Sequence, residues 1–363
     1  VNTHSLPGRR ALALAERLFA PETVERVIEP AVADLQHEWQ AAADKRKPAV
    51  RRGGNYRLAL VMLGCVGQGA LRLPWHVLLF AVGLAFTGVW VLTFSDGIRP
   101  SYSALQGTWL TVGAVVAVLV LAFNRMLLRP TPWVIAALVI SALPQWSSVP
   151  YLQPAWFEVG SLRIHAATAA MPFLLLALAT LRSRRLALGL VGVVVALTCL
   201  QLQFTNAVVI LLGASAAMHA RHGRLGKLEA ALAIMAVLGL TVAAMMPSGV
   251  PTYPHTDKVL WLAIEHGGLP ALFAIFACLS GLVVALVLFA RKATPVGKAL
   301  ALGTATLLAA QTLAHLVGEM GWLASPGGHL PLVSYGGSAV VGWGILLGAA
   351  ASRRASSTGR VVG

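Results

Sequence analysis

The chain is poor in charge: of its 363 residues only 11% are Asp, Glu, Lys or Arg and just 13 are acidic, while 57% are hydrophobic. Mean hydropathy is +0.75. A soluble domain of this size cannot cover its surface with so few charges, which excludes that class. The dyad alternation of an outer-membrane barrel is missing too, because runs such as Leu186 to Leu200 and Leu269 to Ala290 are apolar on every face. Cysteine is scarce. Cys65, Cys199 and Cys278 stand singly in apolar stretches, which excludes a disulfide framework and the usual metal-binding spacings. No apolar run long enough to insert occurs in about the first 55 residues, so no cleavable signal peptide is expected.

What is present is a series of apolar runs approaching the roughly 20 residues that cross a bilayer core, where the backbone must hydrogen-bond within its own segment. The fold class is therefore all-α, a polytopic integral membrane protein of about ten transmembrane helices. We place them at 75–95, 107–127, 131–145, 166–181, 186–200, 202–219, 229–247, 269–291, 298–322 and 336–351. The net charge of +15 marks topology rather than nucleic acid as a partner. Arg125, Arg129, Arg182, Arg184, Arg185, Arg221, Arg224, Lys227, Arg291, Lys292, Lys298, Arg353 and Arg354 all fall at one set of span ends, and Arg99, Arg163 and Lys258 at the other. By the positive-inside rule both termini are cytoplasmic.

Four segments follow. Residues 1–54 read as a cytoplasmic tail of two amphipathic helices, Ala11 to Ala20 and Pro21 to Ala43, with an apolar stripe of Leu12, Leu14, Leu18, Val24, Val27, Ile28, Val32 and Leu35. They end in a basic linker, Lys45 to Gly54, suited to anionic membrane lipids. Residues 55–73 are apolar but bounded by Arg57 and Arg72, and counting them as a span would invert every later loop. We read them as an interfacial helix. Residues 74–352 form the transmembrane domain and 353–363 a basic cytoplasmic tail.

Polar groups collect in three loops on the other side. Residues 146–165 hold Glu158 and Arg163, residues 247–268 hold His255, Asp257, Lys258, Glu265 and His266, and residues 323–335 hold His329. In the ninth span Gln311, His315 and Glu319 recur every fourth residue, a polar stripe that should face a cavity rather than lipid. Such a stripe suits a headgroup groove or a proton path. Read by themselves, Thr256 and Asp257 are ordinary helix caps.

The stretch Leu330-Pro331-Leu332-Val333-Ser334-Tyr335-Gly336-Gly337-Ser338, preceded by Gln311, resembles the end of the SEDS family of lipid-linked peptidoglycan polymerases, whose text there is Leu-Pro-Phe-Ile-Ser-Tyr-Gly-Gly-Ser. His255-Thr256-Asp257, with Glu265 and Gly268 at matching distances, resembles the family's His-Thr-Asp motif and the Glu-Glu-Leu-Gly after it. Weaker likenesses lie at Trp156 to His165 and Gln201 to Ile210. The chain departs where the family reads Gln-Pro-Ser-Glu and then Lys, having His165-Ala166-Ala167-Thr168 and Met171, and where a last-loop Lys is replaced by Pro326.

The resemblance implies a bacterial inner-membrane glycosyltransferase extending glycan from a lipid II-like donor beside a transpeptidase, a class B penicillin-binding protein. It implies that Asp257 is the catalytic carboxylate and that a divalent cation, Mg or Mn, is a reasonable cofactor. Such chemistry needs a base for the acceptor hydroxyl and positive charge for the departing pyrophosphate. Asp257 is the candidate base. His255, Thr256, Glu265, Gln311, His315 and Glu319 are candidate substrate-binding residues, with Arg163 and Lys258 the cations nearest a pyrophosphate. Ser334, Tyr335, Gly336, Gly337 and Ser338 offer backbone N–H groups at the start of the last helix, an arrangement that favours anions and also close helix packing. Two other classes stay open: a non-catalytic SEDS-like scaffold, favoured by the replaced positions, and a flippase-type transporter, favoured by the Gln311, His315, Glu319 stripe.

Overall fold

The computed structural model describes residues 6–19, 21–70, 75–94, 100–122, 129–146, 156–159, 162–201, 203–223, 259–320, 330–332 and 337–351. Its contacts divide the chain into two compact units, one of Val1–Leu73 with Val118–Leu128, the other of Pro74–Ala117 with Arg129–Gly363.

The first unit is helical, and its core comes from one stripe per helix. Helix α1 (Arg9–Leu18) is followed by α2 (Pro21–Thr23), a π-helical turn (Val24–Ile28), α3 (Glu29–Ala41) and α4 (Lys47–Ala70). Ala15, Phe19, Val24, Ile28, Val32, Leu35, Leu58 and Cys65 are buried together. Leu14 and Val27, expected on this stripe, are exposed instead. The π-helical turn adds a residue to its turn, so the 3.6-residue period loses phase there. The basic segment expected as a linker is helical from Lys47 on, continuous with the apolar part of α4. Its surface is tied by polar contacts: Arg57 pairs with Glu38, a hydrogen bond that holds the Glu38 carboxyl below its ordinary range, and Lys47 lies 5.0 Å from the centre of the Trp39 ring.

The second unit is a bundle of apolar helices: α5 (Trp75–Phe94), most of α6 (Pro100–Ala122), α7 (Pro130–Ala142), α8 (Ala166–Thr180), α9 (Arg184–Leu200), α10 (Phe204–His222), α11 (Val259–Ala290), α12 (Pro295–Glu319) and α13 (Gly337–Ala351). Among the described residues Ala104–Leu121, Leu262–Ala290 and Pro295–Glu319 are long and apolar enough to cross a membrane by themselves, and the other apolar helices are shorter. Helix α12 packs along α10, α11, α8 and α13, while α7 packs on α8 and α11 on α5. The expected span at 229–247 lies outside the described residues.

Two features position the site. Between α7 and α8, where a loop was expected, β1 (Trp156–Val159) and β2 (Leu162–His165) form an antiparallel hairpin with Trp156 opposite His165 and Glu158 opposite Arg163. Only Gly160 and Ser161 separate the strands, a spacing and composition suited to a tight hairpin turn. Helix α11 begins ten residues before the expected span. Residues 259–267, placed within the 247–268 loop although Thr256 and Asp257 read as helix caps, are helical, and the chain bends at Gly268 with φ 63° and ψ −166°. A side chain would strain that conformation, and Pro270 two residues later lacks the N–H that an unbroken helix would use.

Packing elsewhere depends on small residues. A Cβ on Gly344 would come 2.2 Å from the carbonyl oxygen of Gly113, and one on Gly348 2.4 Å from that of Ala117, so α6 and α13 meet backbone to backbone. Gly113 and Ala117 face Gly344 and Gly348, the small-xxx-small spacing on both helices.

Candidate functional site

Close packing fixes the register of α10 against α12. Gly213 lies against the Leu307 side chain and Gly303 against Ala217, so the helices run antiparallel, each step along one matched by a step back along the other. Carried to the start of α10, this register sets Thr205 across from His315 and Asn206 across from Ala314. The bundle thus has a polar end, formed by the starts of α8, α10 and α11 and the end of α12.

The α8 and α10 side of that end is a closed network. His165 is the N-cap of α8, and its Nδ1 accepts hydrogen bonds from the Thr168 N–H at 3.4 Å and from the Thr168 hydroxyl at 2.9 Å. Nδ1 is therefore the unprotonated nitrogen. The ring also hydrogen-bonds Gln203, whose Oε1 accepts from Asn206 Nδ2 at 2.7 Å, and Trp156 packs edge-on with its centre 5.1 Å away. Burial holds the His165 pKa down to about 4, against a smaller opposing effect of the Gln203 bond, so the ring is neutral at physiological pH.

The α11 and α12 side is charged. Glu319 Oε1 accepts the N–H of Leu260, in the first turn of α11, at 2.9 Å. His315 Nε2 lies 3.0 Å from the same oxygen, at ion-pair distance but outside hydrogen-bond geometry. The His315 side chain is 1% exposed and that of Glu319 10%. Two turns deeper, Gln311 is fully buried and neither of its amide atoms has a hydrogen-bond partner among the described residues. The stripe expected to face a cavity rather than lipid is thus turned away from the surface.

The other expected residues divide by place. Glu265 is exposed and His266 half-buried on the first, helical part of α11. Arg163 sits in β2, and Gly337 and Ser338 open α13. His255, Thr256, Asp257, Lys258, Ser334, Tyr335 and Gly336 lie outside the described residues. Just ahead of that last group, Leu330, Pro331 and Leu332 are buried, and Leu332 has φ 62°, a left-handed conformation that costs a non-glycine residue about 1–2 kcal/mol.

Reading the sequence missed His165, Thr168, Gln203 and Asn206 as one unit. The signal was faint: each helix start carries a polar pair three residues apart, and nothing in the sequence joins the two pairs.

The family of cell cycle proteins that includes FtsW, RodA and SpoVE matches residues 248–356. The probable peptidoglycan glycosyltransferase FtsW of Bacillus subtilis strain 168 is 34% identical over 95 residues, 26% of this chain and 23% of that protein, so the match spans about a quarter of the relative's length. The rod shape determining protein RodA of Thermus thermophilus, in the crystal structure of an aspartate-to-alanine mutant, aligns over 77% of this chain and 98% of its own with a TM-score of 0.64 and 25% identity. A chain from a peptidoglycan synthase complex, described for its structural coordination of polymerization and crosslinking, aligns over 77% and 98% with a TM-score of 0.63 and 23% identity.

Proposed function

We propose that this chain is a member of the SEDS family of FtsW, RodA and SpoVE proteins and, like other polytopic helical membrane proteins of that kind, a peptidoglycan glycosyltransferase. It polymerises a lipid II-like undecaprenyl-pyrophosphate disaccharide at the outer face of the bacterial cytoplasmic membrane, in wall synthesis during growth or division. The observation that carries this reading is the RodA-like fold, which spans nearly the whole length of that relative and has the His255-Thr256-Asp257 motif immediately before α11.

In the proposed reaction a hydroxyl oxygen of the acceptor sugar attacks the anomeric carbon of the donor. The new C–O bond forms as the bond to the polyprenyl pyrophosphate breaks, the hydroxyl proton passes to the Asp257 carboxylate, and the pyrophosphate leaves with its lipid. Lys258 and Arg163, which with Arg99 are the cations at the outer span ends, would steady that leaving group, with the N–H groups of the Ser334 to Ser338 turn as further donors. Among the described residues no three His, Cys, Asp or Glu side chains form a cage for a divalent cation. A transpeptidase, a class B penicillin-binding protein, is the proposed partner, since crosslinking must consume the glycan made here.

One observation favours a second reading, a non-catalytic SEDS-like scaffold. Where the family carries Gln-Pro-Ser-Glu and then Lys, His165 and Thr168 close on each other and Met171 is buried, so ionisable groups have given way to a neutral network. Purified full-length protein supplied with labelled lipid II separates the two. Polymer that vanishes in Asp257→Ala supports the enzyme, and absence of polymer with and without a transpeptidase partner supports the scaffold.

A further inference from the structure

Helix α11 starts under a carboxylate that is not its own. The first N–H groups of a helix have no partner within it, and a polar side chain just before the first turn commonly supplies one. The N–H of Leu260 is taken instead by Glu319, 59 residues later at the far end of α12. Negative charge at a helix N-terminus is favourable, and a charge-assisted bond of this kind is stronger than a neutral one. The buried His315 ring, one turn back on α12, lies 3.0 Å from the same oxygen.

A nearly buried carboxylate inside a membrane bundle is costly and is normally tied to function. What lies nearest along the chain is Asp257, three residues before Leu260, within about 11 Å of its Cα even with the chain fully extended. Where the His-Thr-Asp motif can reach therefore depends on where the first turn of α11 is fixed. We propose that Glu319 is a positioning residue: its carboxylate, bonded to the Leu260 N–H, clamps the first turn of α11 and so sets the reach of the Asp257 segment toward the acceptor sugar. This rests on the polymerase reading of Asp257.

Full-length protein in lipid nanodiscs tests it with two readouts, amide hydrogen exchange at Leu260 to Ala263 and glycan polymerisation from lipid II. Glu319→Ala removes the acceptor oxygen, and the amides should exchange about 10- to 100-fold faster, the range for loss of a hydrogen bond to a charged group. The turnover number should fall by about tenfold or more with KM within about threefold, because orientation rather than ground-state binding is lost. Glu319→Gln keeps an acceptor oxygen and should return protection and turnover to within about threefold of the starting protein. Unchanged exchange in Glu319→Ala overturns the proposal, as does faster exchange with unchanged turnover, which would leave a cap with no bearing on catalysis. Unaltered protein that makes no polymer removes the polymerase reading and the catalytic role of the clamp together. Polymer from unaltered protein with Leu260 unmoved in Glu319→Ala removes the clamp alone.

Discussion

Acid should loosen the bundle through one imidazole. His165 has its pKa pushed down from 6.5 to about 4, chiefly by burial, and its Nδ1 is committed as an acceptor to Thr168. In the unfolded chain the ring takes up a proton near pH 6.5, well before the folded ring does. The stabilisation is therefore fully present above about pH 6.5 and drains away as pH falls toward about 4. The difference between the two values corresponds to about 3 kcal/mol of preference for the neutral ring. About 2 kcal/mol of that is lost between pH 7.5 and pH 5. His165→Asn keeps a good N-cap acceptor for the Thr168 N–H and removes the titration. The assay is equilibrium unfolding of both proteins in detergent at pH 7.5 and pH 5. Other groups titrate in this window, but they do so in both proteins, so the difference between the two pH slopes belongs to residue 165. The variant should lose about 2 kcal/mol less than the parent over the interval. Equal losses would show that the ring is not held neutral by its surroundings and would refute the reasoning.

Two more perturbations bear on the packing. Gly344→Val inserts side-chain atoms where a bare Cβ already falls 2.2 Å from the Gly113 carbonyl oxygen. Since backbone cannot rotate aside, destabilisation of about 3 kcal/mol or more is expected in detergent unfolding, and a value within about 0.5 kcal/mol of the parent would deny the α6–α13 crossing. Ile28→Ala empties a fully buried position in the first unit and should cost that unit about 2–5 kcal/mol, read as faster proteolysis within residues 1–70 with cleavage elsewhere unaltered. Equal cleavage rates would count against a packed core there.

Most helices were legible because a bilayer-length apolar run has few other uses, and α8, α9, α12 and α13 lie close to where such runs put them. The misses share a cause: local rules were overridden by contacts from elsewhere. Within His266-Gly267-Gly268-Leu269-Pro270 the chain bends at a single residue, Gly268, and Gly267 fits against the Trp90 ring of α5. The hairpin strands are four residues each, too short for alternation to register. Inward orientation of Gln311, His315 and Glu319 followed from spacing alone, whereas the Leu260 to Glu319 bond joins residues 59 apart and has no signature in either segment. The signature Leu330 to Ser338 was the most specific text in the chain, yet nothing in it foretells the backbone angle at Leu332, which that residue type disfavours.

The bend at Gly268 also changes what a mutation near the mouth of the bundle can do. In an unbroken rod, a tilt imposed on residues 259–267 would be carried down the next twenty residues and into their packing on α5 and α12. With the ladder interrupted at one swivel point, sequence changes in that short front piece stay local. The mouth can then diverge among relatives while the lipid-facing shaft behind it is left alone.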